Sequence, residues 1–398
     1  MTSLDLARDV AAEFDFPFDS VEWFAERGNI NLDAFDVRGP GGRTLLQRIS
    51  PAVFTQPGRV VRNMLLVTEA QRAAAIEDDE RWEVPSLVAR SDGAYTVERD
   101  GTWRLIAFIE GSVSYKRLAG LAREDQLRTA RECGRGLAMW LDRTAHVDPA
   151  SLRSSLPGYR DARVYLGQWD CAVAGERECP ELPDDEEIRS SCAAHYAVAL
   201  SPEEYAARRN DPEIEAAVAF VAAHRGLLTE IADGRASGRI ADRAIHGDTK
   251  IENFLFDAET GAAIALVDLD TIMPHSWLVD WGDMVRSLCN VAGETERDLD
   301  LIRVDKEIYS EVTRGFLSEI RSATPEEIAL MPRAVASIAL ELGIRFLADY
   351  LRGDTYFQLG LTDATDLNRV RGLGQLRLAA HLIDRLDAVA TTTPTHGV

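Results

Sequence analysis

The stretch Ala244-Ile-His-Gly-Asp-Thr-Lys-Ile-Glu-Asn-Phe-Leu-Phe256, followed by Ala265-Leu-Val-Asp-Leu-Asp270, sets Asp248, Asn253 and Asp268 at the offsets of a phosphoryl-transfer site. That chemistry needs a carboxylate to orient an attacking hydroxyl, and oxygen ligands that hold Mg2+ on nucleotide phosphates. Asp248 fits the first role. Asn253 follows it at the spacing of Asp and Asn in the pattern H-R-D-x-x-x-x-N, and Asp268 ends the apolar run Ile264-Ala-Leu-Val267, where a second metal ligand belongs. Most isolated His-Gly-Asp tripeptides only tie down a tight turn. Here Phe254-Leu-Phe256 and Ile264-Ala-Leu-Val267 flank Ala258-Glu-Thr-Gly261, so a hairpin signal coincides with the chemical one.

Composition bounds the rest. A chain of 398 residues, 46% hydrophobic and 28% charged, has room for two or three packed units. Its net charge of −22, from 66 acidic and 44 basic residues, would repel a nucleic-acid backbone and reads as a solvated acidic surface. No run of eighteen apolar residues occurs, and Met1-Thr-Ser-Leu-Asp-Leu-Ala-Arg8 lacks the basic start and apolar core of a signal peptide. A cytoplasmic protein with no membrane partner is expected. Five cysteines, an odd and sparse set, argue for reduced thiols. Cys171, Cys179, Cys192 and His195 have the spacing of no common zinc pattern.

Along the chain, Leu4–Phe14 reads as a helix, Asn29–Val37 and Thr44–Ile49 as strands around the turn Gly39-Pro-Gly-Gly42, and Val60–Ile76 as a helix. A hairpin of Ala94–Glu98 and Trp103–Ile109 follows. From about Leu121 the pattern turns helical: Glu124–Thr144, Glu186–Val198, Glu203–Arg208, Pro212–Ala232, Asp280–Asn290, Lys306–Glu319, Pro325–Arg352 and Asp366–Ala388. The expected fold is α+β and two-lobed. Residues 1–111 would form a small β-rich nucleotide-binding lobe, and 112–390 a larger helical lobe with the catalytic loop and acceptor site. Residues 391–398 would be a disordered tail.

The order of β lobe, hinge, helical lobe and His-Gly-Asp loop resembles the aminoglycoside phosphotransferase and choline kinase-like family, relatives of the protein kinases. Several segments look like its N-acetylhexosamine 1-kinase branch: Gly28-Asn-Ile-Asn31, Leu45-Leu-Gln-Arg-Ile-Ser50, Phe108-Ile-Glu-Gly-Ser112, Leu156-Pro-Gly-Tyr159, Asp280-Trp-Gly-Asp283, and Glu341-Leu-Gly-Ile-Arg-Phe-Leu-Ala-Asp-Tyr-Leu-Arg-Gly-Asp-Thr-Tyr-Phe357. The likeness runs from about Gly28 to Leu378. It implies ATP and Mg2+ as cofactors and a small-molecule hydroxyl as acceptor, in this branch often the anomeric hydroxyl of an amino sugar. A natural product or aminoglycoside is the alternative acceptor. A nucleotide-binding pseudokinase is the alternative of another class, against which the intact Asp248, Asn253 and Asp268 speak.

Roles follow from chemistry and resemblance together. Asp248 would be the catalytic carboxylate, Lys250 a neutraliser of charge on the transferring group, and Asn253 and Asp268 the metal ligands. Asp270, on the same strand face as Asp268, would support the metal or touch the acceptor. Asp280 and Asp283, at a helix start, would support the catalytic loop. Only Lys116, Lys250 and Lys306 are lysines, so the β lobe lacks a strand lysine for the phosphates. Arg48 is the expected substitute, with Glu69 as a partner. Gly28, Asn29 and Asn31 would cover the phosphates, and the backbone of Phe108, Ile109 and Glu110 would meet adenine. Arg345 and Tyr356 would bind the acceptor. His246 would pack beneath the loop, and His275, where a glycine is expected, would narrow the acceptor pocket.

Overall fold

The computed structural model describes residues 3–25, 30–31, 33–74, 81–178, 185–192, 196–357, 359–360 and 362–392. Gly28 and Asn29, Cys179, His195 and residues 393–398 of the expected tail lie outside them.

The first element is α1 (Ser3–Ala11), whose Ala7, Val10 and Ala11 face a sheet. The sheet is antiparallel and five-stranded, built from β1 (Ser20–Trp23), β2 (Ala34–Gly39), β3 (Gly42–Arg48), β4 (Val97–Glu98) and β5 (Thr102–Ala107), in the order β1-β2-β3-β5-β4. The strand expected over Asn29–Val37 begins later, and Ser20–Trp23, too short for a periodic signal, supplies the edge. Alternation gives the sheet two faces. Phe35, Val37, Leu46, Trp103 and Leu105 pack outward on α1, whereas Ile106 joins Met64 and Val67 of α2 (Pro57–Ala74) on the inner face.

Past Gly111 the chain pairs with the second part of the molecule: β6 (Ser112–Val113) runs antiparallel to β8 (Phe254–Asp257), which pairs with β9 (Ala263–Leu266) in the expected hairpin. Helix α3 (Arg123–Thr144) packs against that hairpin, and α4 (Ala162–Ala174), α5 (Glu186–Cys192), α6 (Pro202–Arg209), α7 (Pro212–Ala223) and α8 (Arg225–Ala236) follow it in the chain. A two-stranded ribbon joins β7 (Arg243–Ile245) to β10 (Met273–His275). The helical part ends with α9 (Leu278–Cys289), α10 (Lys306–Glu319), α11 (Pro325–Arg352) and α12 (Leu367–Thr392). The single helix expected over Pro212–Ala232 is two, broken at His224, whose φ of −117° leaves the helical region. Helix α4 has no counterpart in the sequence reading, although Asp161 caps it by accepting from the N–H groups of Arg163 and Val164. Helix α12 runs on through Thr391 and Thr392, which had been assigned to the tail.

Helices α3 and α10 cross on small residues. A Cβ on Gly134 would lie 2.1 Å from the Val312 carbonyl oxygen, and one on Gly315 would lie 2.0 Å from that of Arg131, so each helix rests its glycine on the other's backbone. Gly226 on α8, by contrast, has nothing within 4 Å of its Cβ position. Gly134→Ala should therefore lower stability by about 1–3 kcal/mol through overpacking. Gly226→Ala should leave it unchanged or raise it by about 0.4–1 kcal/mol. Urea unfolding of both variants checks this, and equal effects would remove the crossing from the account.

Candidate active site

The loop 246–253 is built on two devices. Gly247 has φ +85°, and a Cβ there would sit 2.7 Å from the Thr271 carbonyl oxygen, so only glycine fits the middle of this turn. Beneath it, Asp280, wholly buried at the start of α9, accepts the N–H groups of His246 at 2.7 Å and Gly247 at 2.8 Å, and its backbone oxygen accepts the Thr249 hydroxyl at 2.6 Å. Burial pushes the Asp280 carboxyl up to about 7, against the pull of those two N–H groups. His246 packs edge-on against Trp140 and takes the Asp248 N–H on Nδ1, which leaves Nε2–H to donate to the Val267 oxygen at 2.8 Å. Burial lowers its pKa, so it stays neutral, a brace and not a proton carrier.

Asp248 is brought to the surface of this brace, its side chain 26% exposed, with Lys250 Nζ 2.9 Å from Oδ2. Burial opposes the Lys250 charge, but Asp248 and Asp268 outweigh it and raise its pKa. Asn253 spends its amide nitrogen on Asp248, donating to the backbone oxygen at 2.6 Å and to Oδ2 at 3.2 Å, so its oxygen is the end offered to a cation. Asp268 takes the left-handed conformation, φ +63°, and its carboxyl is pushed up to about 7 by burial, then by Asp270 and Asp248. Asp248, Asp268 and the oriented Asn253 amide oxygen together offer hard oxygen donors, which suits Mg2+ held jointly with phosphate oxygens. Among the described residues no trio of His, Cys, Asp or Glu makes a metal site on its own.

The remaining expected residues divide. Asp270 is 4% exposed, and its carboxylate is taken by the other half of the molecule: Asn31 Nδ2 donates to Oδ2 at 2.7 Å, and Arg104 Nη2 lies 2.5 Å from Oδ1. Asn31 also accepts the Ser50 N–H at 2.9 Å, so Asp270 and Asn31 form a tie between the two parts. Arg48 pairs with Asp33 and Asp100 and faces Trp103, on the α1 side of the sheet, away from the catalytic loop; strand alternation puts it there. Glu69 is exposed on α2. In the hinge, the Phe108 N–H bonds Arg43, the Ile109 carbonyl accepts from Ser112, and the Glu110 carbonyl accepts from Arg81, which also grips Asp257. His275 lines a cavity of about 270 Å³ with residues of α4, α8 and α11, where burial lowers its pKa to about 3.

Arg345 and Tyr356 do come together. The Arg345 guanidinium, 9% exposed, lies 4.5 Å from the Tyr165 ring centroid, 5.4 Å from those of Tyr159 and Phe357, and 5.9 Å from that of Tyr356. Asp349, fully buried, accepts the N–H groups of Thr355, Tyr356 and Phe357 and so fixes the loop after α11. Tyr159 donates its hydroxyl to the Gly247 carbonyl at 3.0 Å and links this aromatic wall to the catalytic loop. The same carbonyl accepts from Arg160, which is clamped by Asp283 at 2.8 Å. Burial would raise Asp283, but Arg160 and Arg286 hold it at about 2. The sequence reading assigned no role to Arg104, Arg160 or Asp349, although Trp103-Arg104 and the stretch holding Asp349 belong to the segments that carry the resemblance. Arg104 alone had a signal, a lone arginine inside the strand Trp103-Arg-Leu-Ile106.

Asp280→Asn leaves one of the two loop N–H groups without its carboxylate acceptor. It should cost about 1–3 kcal/mol in thermal unfolding and lower turnover. Unchanged stability and rate would show that the loop holds itself.

A family model described as the phosphotransferase enzyme family, APH, matches residues 25–303. Among solved structures, a microcompartment-associated aminopropanol kinase superposes with a TM-score of 0.56 at 15% identity, covering 97% of this chain and 98% of that one. A choline/ethanolamine kinase family protein from Mesorhizobium loti gives 0.52 at 14%, over 96% and 95%. An amicoumacin kinase in complex with AMP-PNP and Ca2+ gives 0.52 at 13%, over 94% and 93%. A sheet-bearing first part, a helical second part and a braced His-Gly-Asp loop between them thus belong to a known enzyme design: the chain is a member of the APH phosphotransferase family, with a protein-kinase-like fold, and acts on hydroxyl groups of small molecules.

Proposed function

We propose that this phosphotransferase uses ATP and Mg2+ to phosphorylate a hydroxyl of a sugar or amino sugar, with the anomeric hydroxyl of an N-acetylhexosamine as its foremost candidate. Residues 1–111 act as the nucleotide lobe and 112–390 carry the acceptor. Bound MgATP supplies the electrophilic γ-phosphoryl group. Asn253 and Asp268 hold the metal, and Asp248 accepts the acceptor's hydroxyl proton while Lys250 offsets the charge beside it.

The acceptor reading rests on one observation, the Arg345 guanidinium set among Tyr159, Tyr165, Tyr356 and Phe357 beside the catalytic loop. A polycationic amine needs carboxylates in its wall. Those nearby are committed to arginines: Asp283 to Arg160 and Arg286, Glu341 to Arg160, and Glu294 to Arg286 and Arg371. A hexosamine whose nitrogen is acylated carries no charge there, and its hydroxyls and amide oxygen suit a fork of N–H donors and tyrosines. Product mass spectrometry over N-acetylhexosamines, free hexosamines, an aminoglycoside and choline tests this. N-acetylhexosamines should give the highest specificity constants, and a tenfold preference for the aminoglycoside or choline would overturn the assignment.

Asp248→Asn should lower turnover by roughly 10²-fold or more with nucleotide affinity nearly intact. Turnover within a few-fold of wild type would remove Asp248 from the mechanism. Arg345→Ala and Tyr356→Phe should weaken acceptor use while KM for ATP stays near normal, the lost tyrosine hydroxyl costing about 1–3 kcal/mol in acceptor specificity constant. Unaltered acceptor kinetics in folded variants would make both residues mere packing.

A further inference from the structure

A nucleotide lobe without a strand lysine still has to meet a polyphosphate, and Arg48 is turned to the outer face with Asp33 and Asp100. On the inner face stands a different arginine. We infer that Arg104, delivered from β5 and not from β3, is the phosphate-binding cation of this lobe. The inference rests on the ATP-dependent reading above.

Position is the first support. Arg104 pairs across the sheet with Gln47, one residue before Arg48, so alternation points Gln47 and Arg104 to the opposite face from Arg48 and Trp103. Its Nη2 donates to Gln47 Oε1 at 2.9 Å and lies 2.5 Å from Oδ1 of Asp270, two residues past the metal ligand Asp268.

Incomplete satisfaction is the second. Arg104 is 1% exposed, yet Nε and Nη1 have no hydrogen-bond partner. A guanidinium buried only to join two lobes would be expected to spend all its donors, because each N–H left unpaired away from water is costly. Phosphate oxygens are the acceptors that match such donors. Asp270 does not depend on Arg104 for its place, since Asn31 donates to its other carboxylate oxygen and the Ser155 hydroxyl donates to its backbone oxygen at 2.6 Å. A lysine could not serve both ends, because its charge is a single point; a guanidinium can keep one nitrogen on Asp270 and turn the others to a ligand.

The test compares Arg104→Gln, Arg104→Lys and Asp270→Asn by calorimetric titration with AMP-PNP plus Mg2+ and with ADP without metal, by thermal unfolding of the free protein, and by steady-state kinetics. Arg104→Gln should weaken both nucleotides about tenfold or more and raise KM for ATP alike, with KM for the acceptor within about threefold. Arg104→Lys should recover part of that loss. Asp270→Asn breaks the same ion pair but keeps the cation, so it should lower the unfolding temperature and keep metal-free ADP affinity within about threefold. If Arg104→Gln and Asp270→Asn change unfolding and ADP affinity in parallel, Arg104 is only a tie and the inference fails. Wild-type protein that binds neither nucleotide would overturn the ATP reading itself, and this inference with it.

Discussion

Asp280 is the constraint from which the active site hangs. A buried carboxylate is costly unless it is bonded, and this one is satisfied by the backbone of the loop that carries the chemistry. Helix α9 and the loop therefore cannot be placed independently. Thr249 and the Thr271 hydroxyl, which bonds the His246 oxygen at 2.7 Å, close the same knot from either side. Asp248 needs only modest exposure on top of so rigid a base, and its geometry is set by Lys250 and Asn253. Rigidity below and access above is what a positioned proton acceptor requires.

The two parts of the molecule meet on directional polar contacts as well as on apolar ones. Asn63 of α2 donates to the Arg153 oxygen at 2.6 Å and to the Ile272 oxygen at 2.8 Å, and Asn31 and Arg104 reach Asp270. The apolar contact between them sets Met64, Val67 and Ile106 against Leu152, Ala244, Leu269 and Ile272, and Phe54 and Val60 share a cluster with Leu156. Directional bonds fix a register between lobes, whereas a broad greasy interface would tolerate sliding. Segment 268–272, which carries the proposed metal ligand Asp268, lies at this seam, so the two parts are aligned where the proposed ligands would have to coincide.

Much of this was legible in the sequence because it was local. The hairpin of β8 and β9 and the long helix α11 each carry their signal in one continuous run, and the proposed triplet Asp248, Asn253 and Asp268 lies on the loop and hairpin between 248 and 268. The illegible parts depend on contacts across long separations. Arg48 and Arg104 look equivalent as strand arginines until the register Arg48↔Trp103 and Gln47↔Arg104 assigns them opposite faces. Asp270 could support the metal or touch the acceptor on sequence grounds, and its partners Asn31 and Arg104 are 239 and 166 positions away. Helix α4 escaped because Val164, Leu166, Gln168 and Trp169 are buried around much of its circumference, which erases the one-sided periodicity by which surface helices are read.

The family model ends at residue 303, and the loop that carries Tyr356 is held by Asp349, beyond that limit. Asn368 of α12 also reaches this loop, donating to Asp354 and to the Phe357 oxygen. On the reading proposed above, the reacting residues and part of the acceptor wall reside in separate stretches of chain, joined through Tyr159 and Arg160 and through the packing of α11 on α9 and α4. A change confined to the turn between α11 and α12 would therefore alter the wall around Arg345 and leave Asp248, Asn253 and Asp268 as they are.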